Sequence, residues 1–197
     1  MSGPYTDPRA HELRRRYLQA FGGPELPVPV ESMASDLLGL HVELRSIAYS
    51  GLLLPREWLI LVNAEEPLVR RRFTVAHELG HWVCQVLAGR AAPVFCRPLD
   101  LSAATDRSQE REANVFAAEL LMPEEAVVGC FAGNVAECAA RFQVSEEAMH
   151  WRLFNLGLVP EPPSASGDRA RASASGDRPR AAAEVEGSAG HAFGAES

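Results

Sequence analysis

Arg72-Phe73-Thr74-Val75-Ala76-His77-Glu78-Leu79-Gly80-His81-Trp82-Val83-Cys84 is a run of good helix formers with His-Glu-x-x-His at its centre. On a helix, His77 and His81 stand one turn apart on one face, so both imidazoles can reach a single ion from rigid backbone. Zinc takes neutral imidazole nitrogen at about 2.0–2.1 Å and, in hydrolytic sites, keeps three protein ligands and one position for water. Glu78 lies beside that face, where its carboxylate can accept a proton from the water without occupying the metal. An amphipathic helix with two buried, hydrogen-bonded histidines would carry the same five letters. The reading therefore requires a third ligand elsewhere in the chain.

Glu110-Arg111-Glu112-Ala113-Asn114 supplies one, on a second predicted helix that Asp106 can cap, with Gln109 in capping-box position and Pro123 as its stop. Glu110 and Asn114 share a face because they are one turn apart, whereas Glu112 points elsewhere. Glu110 is assigned to the metal. Asn114 is placed behind a ligand histidine, where a side-chain oxygen can orient the ring through its other nitrogen. A solvated first-turn carboxylate is the competing reading of Glu110.

The two blocks together, Phe73 to His81 and Glu110 to Pro123, resemble the ImmA/IrrE family of zinc metallopeptidases, and the resemblance runs over roughly residues 30–158. It implies an α+β, zincin-like fold of the gluzincin kind, with a small mixed or antiparallel sheet and a mostly helical C-terminal half. His77, His81 and Glu110 would then be the zinc ligands, one Zn2+ per chain, and Glu78 the general base. Mn2+ is the alternative metal in the cell. The substrate it implies is a helix-turn-helix repressor, cut to derepress genes. Leu52, Leu53 and Leu54 stand where some relatives carry polar or tyrosyl residues, and the large C-terminal sensor-like domain of some members has no counterpart here.

Composition is consistent with this. The formal charge of -7 disfavours a nucleic-acid surface. All 19 basic residues are arginine, which excludes P-loop and Schiff-base chemistry, since both need a lysine amine. Cys84, Cys96, Cys130 and Cys138 show no Cys-x-x-Cys spacing and follow no secretory signal, so they read as reduced thiols of a cytoplasmic protein. Cys84 reads as a small buried hydrophobe. No apolar run approaches the ~20 residues needed to cross a bilayer. The sequence carries no signal for an oligomeric state.

Four segments are expected along the chain. Residues 1–29 form an N-terminal helix (9–21, with Leu13, Tyr17, Leu18 and Phe21 on one side) and a linker. Residues 30–133 form the peptidase core, with a helix at 30–38, a strand at 41–45 and a hairpin from 51–54 and 58–63. The apolar second hairpin strand, with Leu59, Ile60 and Leu61, is either buried or the edge that pairs with an extended substrate; Tyr49 is the nearest hydroxyl for an oxyanion. The loop 89–105, broken by Pro93 and Pro98, could carry Arg90 and Arg97 to substrate carboxylates. Residues 134–160 read as a helix-turn-helix unit capped at Ser145 and closed at Gly157. Residues 161–197, with Ser-Ala-Ser-Gly-Asp-Arg twice and few large apolar side chains, should form a disordered tail. His41, His150 and His191 read as non-ligands.

That helix-turn-helix unit makes a DNA-binding regulator the rival function. Glu146 and Glu147 would, however, point at phosphates from the turn that must enter the major groove. A non-catalytic, antitoxin-like metal module is the third reading. The expected partner is a protein substrate docked outside the metal cleft, on 89–105 or on the acidic pair 137–156, with the net charge favouring a basic one.

Overall fold

The computed structural model describes residues 6–23, 25–90 and 104–163, of which 104–106 by backbone alone. Those up to Pro163 belong to one compact unit. The proline-broken stretch, with Cys96 and Arg97, and the expected tail from 164 on, with His191, lie outside the described residues.

Helix α1, Pro8–Phe21, starts one residue earlier than expected because Asp7 caps it, accepting from the Arg9 amide at 2.9 Å, with Pro8 at the first position. Its buried stripe is Ala10, Leu13 and Tyr17; Phe21, expected inside, is 52% exposed at the helix end. Arg9 ties the helix down, bonding Asp7 at 2.6 Å and Glu112 at 2.9 Å. Helix α2, Val30–Ser32, widens into a π turn over Met33–Leu37. Gly39, at φ +70°, then turns the chain into the sheet.

The sheet has three strands: β1 (His41–Arg45), β2 (Gly51–Leu54) and β3 (Leu59–Asn63), in the order β1-β3-β2. β1 runs parallel to β3, with His41 opposite Leu59; β2 is antiparallel to β3, with Gly51 opposite Val62. The sheet is thus mixed. The predicted hairpin forms around a 3-10 turn at Pro55–Glu57, closed by Trp58 in the left-handed region at φ +53°. Ile60 and Val62 face the core while Leu59 and Leu61 are half-buried. β3 is therefore the middle strand, with partners on both sides.

Helices α3 (Leu68–His81) and α4 (Ala104–Leu121) pack side by side. α4 is already helical at Ala104, so Asp106 lies inside its first turn instead of capping it. After α5 (Glu124–Cys130) come α6 (Val135–Phe142) and α7 (Glu146–Asn155), the helix-turn-helix pair. Asn134 caps α6, and Ser145 caps α7 by accepting from the Ala148 amide at 3.1 Å. Cys138, Phe142, Met149 and Leu153 join the common core. The three described cysteines, Cys84, Cys130 and Cys138, are free thiols.

Arg152 locks α7 to α4. Only 2% exposed, it donates to the Met122 carbonyl at 2.9 Å and bonds the buried Glu119 carboxylate, whose burial raises its pKa against the pull of Arg152. Removing one partner of such a pair leaves a charge without compensation inside the protein. Arg152→Met alone is expected to lower the unfolding free energy by ~3–5 kcal/mol. Arg152→Met with Glu119→Leu should recover most of that loss. Urea unfolding of both variants checks this; a double variant as unstable as the single one would show that the pair itself supplies the stability.

Candidate metal centre

Two helices meet at a glycine. A methyl built on Gly80 of α3 would fall 2.9 Å from both the Cα and the carbonyl oxygen of Ala113 on α4, closer than real side chains come. Only hydrogen lets the two backbones approach so closely. Glu110 sits one turn before Ala113, so this contact sets the distance from which its carboxylate reaches α3.

That reach ends at the two histidines. Glu110 places Oε2 3.2 Å from His77 Nε2 and Oε1 3.2 Å from His81 Nε2, and the two Nε2 atoms are 3.0 Å apart. His77, His81 and Glu110 form the His/Cys/Asp/Glu cluster, among the described residues, with ligand atoms close enough to hold a metal ion. Glu112 turns away to Arg9 and Arg90. Cys84 is buried outside the cluster, its thiol pushed up to about 12 by burial. His41 is exposed, and His150 faces the Glu161 carbonyl at 3.1 Å.

The outer nitrogens decide what the inner ones can do. His77 Nδ1 lies 3.0 Å from Asn114 Oδ1, and His81 Nδ1 2.6 Å from Gln85 Oε1. Gln85 is fully buried, and its amide nitrogen donates to the Gln109 carbonyl at 3.2 Å, which fixes its oxygen toward the ring. With each Nδ1 facing an amide oxygen, both rings turn Nε2 inward, toward each other and toward Glu110. Two imidazole nitrogens and a carboxylate lie close enough together to hold a cation. Burial pushes the His81 pKa down, but hydrogen bonds to Glu110 and Gln85 and the charge of Glu78 carry it above its ordinary value. Burial would likewise raise Glu110, yet both histidines hold it well below the usual carboxylate range. The donor set, two imidazoles and one carboxylate, fits a divalent ion such as zinc.

Gln85 was not anticipated from the sequence, although it continues the spacing of His77 and His81 by one more turn. It falls in a π turn, Trp82–Val86, that extends α3 directly beyond His81.

Glu78 is 1% exposed on α3 beside the cluster, and the sheet closes over it. A methyl on Gly51, at the start of β2, would lie 2.3 Å from Thr74 Cγ2 and 3.0 Å from Glu78 Oε1. Among the described residues β2, like β1, pairs with β3 on one side only, so an outer strand of the sheet lies next to Glu78. The substrate-edge expectation for Leu59, Ile60 and Leu61 is corrected accordingly: they belong to the middle strand, whose main-chain groups are taken by β1 and β2, and Ile60 is fully buried. Tyr49 sits half-buried in the bend before β2. Arg90, expected to reach substrate carboxylates, bonds Glu112 at 3.1 Å and the Cys84 carbonyl while its side chain stays half exposed.

Comparison with known proteins agrees with this layout. A family model described as the IrrE N-terminal-like domain, a peptidase family, matches residues 29–154, well over half of the chain. The chain belongs to this family. Helix α1 lies ahead of the matched region. Among solved structures, a Mycobacterium tuberculosis transcriptional regulator is similar to this family member with a TM-score of 0.55 and 18% identity, covering 73% of this chain. At that identity the likeness speaks for the fold alone, and this chain spans 45% of that neighbour's. A comparison with curated proteins gives no match.

Gly80→Ala should drive α4 away from α3 and weaken zinc binding at least tenfold while the protein stays folded, since overpacking of this size costs ~1–3 kcal/mol. Competition against a chromophoric chelator measures this. Unchanged affinity would mean that the Gly80–Ala113 contact does not set the ligand spacing.

Proposed function

We propose that the protein is a zinc-dependent endopeptidase that cuts one specific protein partner, a helix-turn-helix transcriptional repressor, and so derepresses genes. The observation that carries this reading is the convergence of two imidazole Nε2 atoms and the Glu110 carboxylate beside a buried Glu78 and β2, an outer strand among the described residues. Membership in a peptidase family supports the reaction class. His77, His81 and Glu110 would hold the ion, with Asn114 and Gln85 orienting the rings. When bound, the metal supplies an acidified water and polarises the scissile carbonyl.

The chain's own residues do the rest. Glu78 takes the proton of the attacking water and hands it to the leaving amine as the C–N bond breaks. Its burial excludes bulk solvent from that transfer. β2 offers its outer edge to an extended peptide, whose main-chain hydrogen bonds hold the scissile bond in register. Specificity is assigned to docking outside the cleft, and the cytoplasm is the proposed site of action. Among the described residues no helix is long and apolar enough to cross a membrane.

The DNA-binding alternative has the α6–α7 geometry in its favour. Yet Glu146 and Glu147 are exposed in the first turn of α7, where phosphates would have to lie, and Arg152 is committed to the core. We assign the pair to packing and partner contact.

Glu78→Gln preserves shape but cannot accept a proton at neutral pH. The zinc-loaded variant should keep its metal and lose at least a hundredfold in hydrolysis of a helix-turn-helix repressor that the wild type cuts, followed by mass spectrometry. Turnover equal to wild type would remove Glu78 as the base. Fast digestion of unfolded casein with the repressor intact would make the protein a general peptidase.

A further inference from the structure

A cleft of about 690 Å³ adjoins the candidate metal centre, with Glu110 and Asn114 as part of its wall. It runs along α4 toward α7. The face of α4 that carries Glu110 and Asn114 continues, at helical spacing, through Val115, Ala118 and Met122, so the cleft turns apolar as it leaves the ligands. Phe73 from α3 and Trp151 from α7 line it as well; Trp151 remains 44% exposed, the kind of aromatic surface a folded helix ordinarily buries.

Charge at this cleft departs from that of the whole chain. Arg70, Arg107 and Arg111 line it and are exposed. Among the described residues, Arg70 makes a 4.0 Å contact to Glu66. Apart from the ligand Glu110, the carboxylate lining the cleft is Glu147, while Arg152 is neutralised by Glu119. A protein with a formal charge of -7 thus presents three guanidiniums around an apolar cavity beside its metal centre. Guanidinium groups of this kind recognise carboxylates.

Resting on the peptidase reading above, we propose that this cleft is the specificity subsite: it receives a bulky apolar side chain next to the scissile bond, with an acidic residue within two positions held by Arg107 and Arg111. The volume is that of a site for a ligand larger than one small side chain. A basic repressor can satisfy the whole-chain electrostatics by docking elsewhere and still present an acidic, apolar segment to be cut. Selectivity then comes from two surfaces of opposite sign.

The test uses zinc-loaded protein in two arms. In the first, wild type, Ala118→Phe and Arg107→Glu/Arg111→Glu are incubated with a degenerate peptide library and cut sites are read by mass spectrometry. Wild type should favour Leu, Met or Phe beside the cut with Asp or Glu close by. Ala118→Phe should shift the preference to small residues, and the double charge variant should replace acidic with basic neighbours. In the second arm, the fluorescence of Trp151 in Glu78→Gln reports binding of a Leu-Glu-containing peptide and its Leu-Lys counterpart, with Trp151→Phe as control. The Glu peptide should bind at least tenfold tighter, and the double charge variant should reverse the order. Selective binding without any cleavage would keep the subsite and overturn the peptidase reading. Cleavage indifferent to both variants, or equal or absent binding of the two peptides, would overturn the subsite.

Discussion

The centre depends on one missing methyl group. Gly80 brings the backbone of α3 against Ala113 of α4, at a separation that leaves no room for a Cβ. One turn upstream of Ala113, Glu110 then spans the gap to His77 and His81 at 3.2 Å each. A glycine inside a helix ordinarily costs about 0.5–1 kcal/mol relative to alanine. Here that cost is offset by packing and by the geometry it permits. A second glycine repeats the device from the other side, since Gly51 lets β2 lie against Thr74 and Glu78. The candidate metal ligands, the buried Glu78 and strand β2 are therefore gathered around α3 by two residues without side chains.

Much of this was legible in the sequence because it is local. The four-residue spacings of His77 with His81 and of Glu110 with Asn114 translate directly into shared helix faces, and the structure brings those four side chains together. The hairpin turn at Pro55–Glu57 and the cap at Ser145 were equally readable. What escaped was decided by pairing across the fold. An apolar run such as Leu59-Ile60-Leu61 fits an edge or a middle strand alike; only β1, returning in parallel, makes β3 central. Gln85 was hidden by a π turn, which changes how a helical spacing maps onto a face. Arg90 looked free in sequence but meets Glu112, a partner on another helix that spacing cannot reveal.

Electrostatics separates the levels of description in the same way. The whole-chain charge speaks to solubility and long-range steering. At the centre itself, burial lowers the His81 pKa, but hydrogen bonds to Glu110 and Gln85 and the nearby Glu78 and Glu110 charges raise it above its ordinary value. A cleft wall only one helix turn away carries arginines. Opposite signs at this range act on different parts of a bound chain, and the formal sum conceals both.

Zinc-edge X-ray absorption of the zinc-loaded protein tests the centre most directly, because it reads the ligands without requiring a substrate. Two imidazole nitrogens and additional oxygen donors at about 2.0–2.2 Å, with no sulfur, are the expected shell. A sulfur scatterer near 2.3 Å, or a shell with no imidazole signature, would place the metal away from His77, His81 and Glu110 and contradict the proposed chemistry.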